Sequence, residues 1–257
     1  MAEQKGIKHV IAVMSGKGGV GKSLVAGLLA VGLKRRGFSV GVLDGDITGP
    51  SIPRMFGVRE KPMSADGKTL VPPKSRGGIP IMSMNLILPS EEEAVIWRGP
   101  MVSGAIRQFF SDVQWGELDY LIVDLPPGTS DAPLTVMQAL PVDGVVLVTT
   151  PQALATMIVM KAVKLVKQLG GEIIGVVENM AYVTLPDGQH LEVFGPSQGL
   201  KLVISSNAPL MGKLPIDPVI ARDADNGDIE SYISPETDEL VENFMLVAPL
   251  KEPVAAH

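Results

Sequence analysis

The chain has 257 residues, enough for one large domain or two small ones. Hydrophobic residues make up 46% and charged residues 19%, which supplies a sizeable core and excludes a disordered chain. A net charge of −6 argues against a surface that holds polyphosphate backbones by bulk charge. The absence of any cysteine excludes disulfides, thiolate-held metals, thiolate-ligated iron–sulfur clusters and cysteine nucleophiles in this chain.

In chain order, an apolar β-branched run at 10–14 predicts the first strand, and a helix apolar nearly all round is predicted over 23–36, closed by Gly37. Strands follow at 40–43, more weakly at 79–84, and then at 118–124 and 144–150. A helix over 153–169, ending at Gly170, puts Lys161, Lys164 and Gln168 on one stripe, read as a solvated face, and Ile158, Val159, Ala162 and Val166 on another. Strands at 172–177 and, weakly, at 210–214 complete the series. Few runs show polar alternation, as expected of strands covered on both faces. Strand–helix alternation with a repeat near 30 residues means parallel βαβ units. The predicted fold class is α/β: one doubly wound, mainly parallel sheet with helices on both faces, spanning 1–257, with irregular insertions near 57–79 and 180–200. No basic segment leads into an apolar core at the start, and the greasiest stretches fall short of the roughly 18–20 residues of a membrane span, so a cytoplasmic protein is expected.

Between the first strand and its helix lies Gly16-Lys17-Gly18-Gly19-Val20-Gly21-Lys22-Ser23. It fits G-x-x-x-x-G-K-[ST] in the strand–loop–helix context the chemistry needs, the signature of a P-loop NTPase. Glycines let backbone N–H groups converge on phosphate oxygens; Lys22 supplies a charge to the β- and γ-phosphates, and Ser23 a hydroxyl to Mg²⁺. The helix adds the positive end of its dipole. Asp124 ends an apolar strand and precedes Leu-Pro-Pro-Gly-Thr, the place of an acid that positions Mg²⁺ through water, or else of a carboxylate capping the next segment. Asp44 and Asp46 follow the second strand, where a doubly wound sheet binds ligand. Asp46 is assigned the attacking water and Asp44 a supporting, metal-side role; a turn or cap is the alternative for either.

Lys17, directly after the first loop glycine, resembles the signature lysine of the deviant Walker A loop in the MinD/ParA/nitrogenase-iron-protein class. In that class this lysine reaches the partner's nucleotide across a dimer, chemically like an arginine finger. Residues Val42 to Ser51, Trp97-Arg98-Gly99-Pro100-Met101, Asp124 to Asp131 and Glu178-Asn179-Met180 resemble the Mrp/ApbC family of ATPases that carry or scaffold iron–sulfur clusters. The resemblance runs from about residue 8 to 225. It implies an ATP-binding homodimer with slow basal turnover and puts Asn179, Pro215 and Asp217 beside adenine. With Lys17 added to the groups read above, the catalytic set is Lys17, Lys22, Asp46 and Asp124, working with Mg²⁺. Without the resemblance, Trp97 reads as a core aromatic.

One segment departs from the family. After Glu-Asn-Met its members carry Cys-x-x-Cys, two thiolates per subunit and four in a dimer. Here Leu185 and Gly188 keep the spacing without the chemistry, and Pro186-Asp187-Gly188 reads as a tight turn. His190 with Asp187 and Glu192 would suit zinc better than a cluster, and a surface histidine without a ligand role is the plainer reading. The expectation is a nucleotide switch of the cluster-assembly family with no family-type cluster site of its own, working with an iron–sulfur client or a cysteine-bearing partner chain. The alternative is a MinD- or ParA-like positioning ATPase. Membrane binding is not expected, because the tail from Phe244 to Pro253 has two prolines and one lysine; nucleic-acid binding is not expected at net −6. A small-molecule kinase with Arg98 and Arg107 as lid residues is a third, weaker reading.

Overall fold

The computed structural model describes residues 6–46, 49, 51–64, 67, 69–87, 99–129 and 131–248. Among them the elements run β1 (Ile7–Ser15), α1 (Lys22–Arg35), β2 (Val40–Asp44), α2 (Ile52–Met55), β3 (Met63–Ser64), β4 (Leu70–Val71), β5 (Ile81–Ser83) and α3 (Gly99–Ser111). Next come β6 (Leu118–Asp124), α4 (Asp131–Ala139), β7 (Gly144–Thr149), α5 (Ala153–Gln168), β8 (Ile173–Glu178), β9 (Val183–Thr184) and β10 (His190–Leu191). The last are α6 (Gly199–Ser206), β11 (Leu210–Lys213), α7 (Pro218–Asp225) and α8 (Pro235–Val247).

All seven predicted strands enter one sheet in the order β11-β8-β7-β1-β6-β2-β5. Every neighbouring pair in it is parallel. The alternation of β1 sorts the core. Ile11 and Val13 face a layer with α1 and α8, while Val10, Ala12 and Met14 face a second layer with α3 and α5. With both faces covered, period-2 polarity has no role, which is why the strands read as continuous apolar runs. The doubly wound expectation therefore holds. Each insertion carries a two-residue hairpin, β3–β4 in the first and β9–β10 in the second.

Helix α1 lies so close to α8 that a side chain on Gly32 would not fit: a Cβ there would stand 2.3 Å from Val241 Cγ2. Gly32→Ala gains about 1 kcal/mol of helix propensity but overpacks a fully buried contact, which costs ~1–3 kcal/mol. A net loss of thermal stability is expected in a melting experiment, and adding Val241→Ala to the same chain should recover part of it.

The strand register delivers the chemistry. Val13 of β1 and Asp44 of β2 both pair with Asp124 of the intervening β6. The loops after these three strands therefore emerge together at the carboxyl edge of the sheet, where doubly wound folds bind ligands.

Candidate nucleotide site

The phosphate loop is built on glycines for two separate reasons. Gly19 and Gly21 sit at φ 77° and 79°, which L side chains rarely adopt. At Gly21, the residue just ahead of α1, a Cβ would also fall 2.1 Å from Asn179 Nδ2. Asn179 in turn donates from Nδ2 to the Val20 carbonyl at 2.9 Å, and its backbone N–H donates to Thr149 O. The end of β8 thus clamps the loop from behind. Gly16 is pinned against α5, since a Cβ would meet Ile158 Cγ2 at 2.7 Å.

The charged centre lies at the start of α1. Lys22 Nζ donates to Asp124 Oδ1 at 2.6 Å, and Ser23 Oγ donates to Asp124 Oδ2. Lys22 and Asp124 are both buried. Burial pushes the Asp124 carboxyl upward, against the opposing pull of Lys22 and Ser23, while nearby Asp46 adds to the rise. Hard oxygen donors from Ser23 and Asp124, side by side next to a buried ammonium, match the donor set that Mg²⁺ takes beside phosphates.

Asp44 is tied to its own loop. Its Oδ2 accepts from the backbone N–H groups of Ser51 and Ile52 at the start of α2, each at 3.2 Å, and its Oδ1 from Asp46 N. This is the cap alternative of the sequence reading, realised at a fully buried position. Its carboxyl is pushed up to about 8, first by burial and then by the charge of Asp124; Lys22 and the Ile52 and Asp46 N–H groups oppose the rise. An acid whose folded pKa is raised holds its proton longer in the folded state than in the unfolded state. It therefore favours folding fully below its ordinary 3.8 and loses that contribution as pH rises towards about 8. Nucleotide-free protein should accordingly become less stable to urea across this window, and Asp44→Asn should flatten the dependence. Asp46 is buried and accepts from Gly49 N at 3.2 Å.

Lys17 points away from the Lys22 cluster. Its ammonium donates to Gln152 Oε1 at 2.7 Å, while its carbonyl accepts from Ser15 Oγ. Gln152, just ahead of α5, was not singled out from sequence; a polar residue at the carboxyl end of β7, beside the loop strand, was the available signal. Pro215 lies in the segment paired with the chain after Asn179, through Ala181 N to Leu214 O and Ile216 N to Tyr182 O. The Asp217 carboxylate is engaged within the protein: it caps α7 by accepting from Val219 N at 2.8 Å, and accepts from the Tyr232 hydroxyl at 2.8 Å. In the second insertion the tight turn is present, with Gly188 N donating to Leu185 O, and His190 stacks on Tyr182 at 3.8 Å. Among the described residues no group of three or more His, Asp or Glu is arranged to hold a metal ion. Ile47, Thr48, Pro50, Trp97, Arg98, Ser130 and the tail 249–257 lie outside the described residues.

A glycine-built loop between β1 and α1, closed by a buried lysine and faced by an acid from the adjacent strand, defines a nucleotide-binding protein of the P-loop NTPase class. The model of the family described as ParA, NUBPL iron-transfer P-loop NTPase, matches residues 6–248, and the chain belongs to that family. It is 48% identical over 235 residues to the iron-sulfur cluster carrier protein of Clostridium perfringens, covering 89% of this chain and 83% of that protein. It is 45% identical over 226 residues to the cytosolic Fe-S cluster assembly factor CFD1 of Kluyveromyces lactis, covering 85% and 80%. Among solved structures, the nucleotide-binding protein of Archaeoglobus fulgidus in complex with ADP superposes with a TM-score of 0.80 at 42% identity, covering 90% of each chain. Pyrococcus horikoshii MinD, complexed with Mg-ADP, shares the fold at 22% identity and a TM-score of 0.66, covering 91% of this chain and 94% of that one.

Proposed function

We propose that this protein is a magnesium-dependent ATPase that acts as a dimeric switch in iron–sulfur cluster assembly and holds no family-type cluster itself. The observation that carries the reading is an intact set of nucleotide groups in a chain of a cluster-carrier family that has no thiolate to hold the cargo. Leu185 and Gly188 occupy the turn of the β9–β10 hairpin, one side chain being hydrocarbon and the other absent. The donor set there does not fit a cluster.

In this reading Gly16 to Gly21 cradle the phosphates and Lys22 exchanges Asp124 for phosphate oxygens as nucleotide enters. Ser23 and Asp124 would hold Mg²⁺, with Asp44 in support, and the ion would supply neutralisation of phosphate charge there. Asp46 orients the attacking water. Asn179 and the 214–217 segment flank the base. Lys17 leaves Gln152 and serves the partner subunit's nucleotide in a homodimer. The cargo step falls to an iron–sulfur client or a cysteine-bearing partner chain, in the cytoplasm.

Anaerobic incubation of the purified protein with iron and sulfide tests the cargo half. The protein should emerge colourless after desalting, whereas a stable charge-transfer absorbance at stoichiometric iron would sink it. ATP hydrolysis should persist in the same sample, which separates the nucleotide half from the cargo half.

A further inference from the structure

Away from the phosphate loop, a cleft among the described residues lies where the C-terminal ends of α2 and α7 meet. It encloses about 450 Å³, within the size range of small-metabolite sites. Its floor is a backbone contact between two glycines. Gly57 and Gly227 sit at φ 65° and 73°, and a Cβ on either would approach the other's backbone to 2.7 or 2.6 Å. Arg54 and Arg59 line one wall, and Asp225 and Asn226 the other. Among the described residues neither guanidinium has a carboxylate within ion-pairing distance, and both side chains are exposed. The cleft carries two positive groups against one negative group, each with open hydrogen-bonding capacity.

We propose that this cleft is a second ligand site, for a small organic oxyanion that bears a hydroxyl group. The two guanidiniums would grip the carboxylate or phosphate with paired N–H donors, and Asp225 and Asn226 would receive the hydroxyl. The Asp225 carboxylate repels a bare anion but accepts from a hydroxyl, so inorganic phosphate should bind less well than a hydroxylated ligand.

The position also couples the cleft to the nucleotide. Helix α2 has four residues, about 6 Å of rise. Its first N–H groups are held by Asp44, and its last turn carries Arg54 into the cleft. Helix α7 is capped by Asp217, on the segment paired with the chain after Asn179, and ends at Asp225. A ligand bridging the two walls would fix α2 against α7 and so bias the position of Asp44, which holds the start of α2. By linkage, the nucleotide would change the ligand's affinity by the same factor.

Calorimetry on the full chain, with the phosphate loop saturated by Mg-ADP, tests the site. Malate and glycerol 3-phosphate are the probes and inorganic phosphate the control. Saturable one-to-one binding of either probe is expected, and whichever titrates more tightly identifies the anionic group. Arg59→Ala, in an exposed loop, should weaken it by about tenfold or more, the size of one lost charge-assisted hydrogen bond. Arg54→Ala should do the same, and Asp225→Asn should reduce the preference over inorganic phosphate. Absence of saturable binding at millimolar probe, or unchanged binding in Arg59→Ala, would overturn the proposal. Coupling is read separately, as a shift in ADP affinity on adding the probe to wild type that is lost in Arg59→Ala. An unshifted ADP affinity would remove the coupling and leave the site. Because the readout is binding, failure of the ATPase reading would not be mistaken for failure of this one.

Discussion

Lys22→Ala should lose nucleotide affinity by ~100-fold, because a charge-assisted hydrogen bond to phosphate contributes about 1.5–3 kcal/mol and no other lysine side chain approaches Asp124 in the described structure. Titration with a fluorescent ADP analogue checks this, and near-normal affinity would refute the phosphate role. The same substitution also acts on the nucleotide-free protein. Lys22 and Asp124 form a buried pair at 2.6 Å, and removing one partner of such a pair typically costs ~3–5 kcal/mol because the other charge stays uncompensated. Asp124 is already pushed upward by burial, and Lys22 is among the groups that hold it down. Without the lysine its carboxyl rises further and takes up a proton. The variant's instability should therefore be greatest at high pH and relax as pH falls and Asp124 becomes neutral. Adding Asp124→Asn should restore much of the stability without restoring nucleotide binding. That split distinguishes a phosphate ligand from a structural ion pair.

The double duty of Lys22 is a feature the sequence could not display. The loop pattern identifies Lys22, Ser23 and Asp124 individually, because each is fixed by a local requirement: the strand end, the glycine turn, the first helical turn. Their mutual contact depends on the register of β1 against β6, a relation across about a hundred residues. Asp44 shows the same limit. As a carboxylate at a strand end, it fits both a metal role and a cap, and only the fold of the loop towards α2 brings the Ser51 and Ile52 N–H groups onto it. Asp217, which the resemblance puts beside adenine, also caps α7 and receives Tyr232, and Pro218 directly after an Asp is the helix-start signal for that cap.

The strands were legible because burial on both faces leaves nearly unbroken β-branched runs, and even the short β5 and β11 fall within their predicted runs. Several of the helices missed from sequence carry conflicting local signals. Helix α4 contains Pro133 in its first turn, and α3 opens on Gly99-Pro100, both of which read as turn chemistry. Helix α8 has a full capping box at Ser234 and Thr237, but its N3 residue is threonine, outside the usual Glu or Gln pattern. The hairpins β3–β4 and β9–β10 are two residues per strand, too short for any periodicity to register.

Lys17→Ala should leave nucleotide affinity close to wild type and cut turnover by ~10³, the lower end of what a trans-acting cation contributes to phosphoryl transfer. The basis is the division of labour between the loop's two lysines. Lys22 is buried against Asp124, whereas Lys17 is only partly buried and directs its ammonium to Gln152, a neutral acceptor. A neutral amide holds a lysine in place without cancelling its charge, so the cation is retained for an anion and is released at the cost of a single hydrogen bond. Gln152→Ala should therefore speed or preserve hydrolysis, and Gln152→Glu should slow it, since a carboxylate would bind Lys17 as an ion pair. Specific activity should climb with protein concentration in wild type, because the second subunit supplies the cation, and should stay flat in Lys17→Ala. Mixing Lys17→Ala with an excess of a Lys22→Ala chain offers a complementation test. The first chain keeps its own phosphate loop and lacks the reaching lysine; the second lacks affinity but still carries Lys17. Recovery of turnover in the mixture would place Lys17 across the dimer, whereas full activity of Lys17→Ala alone would refute the trans role.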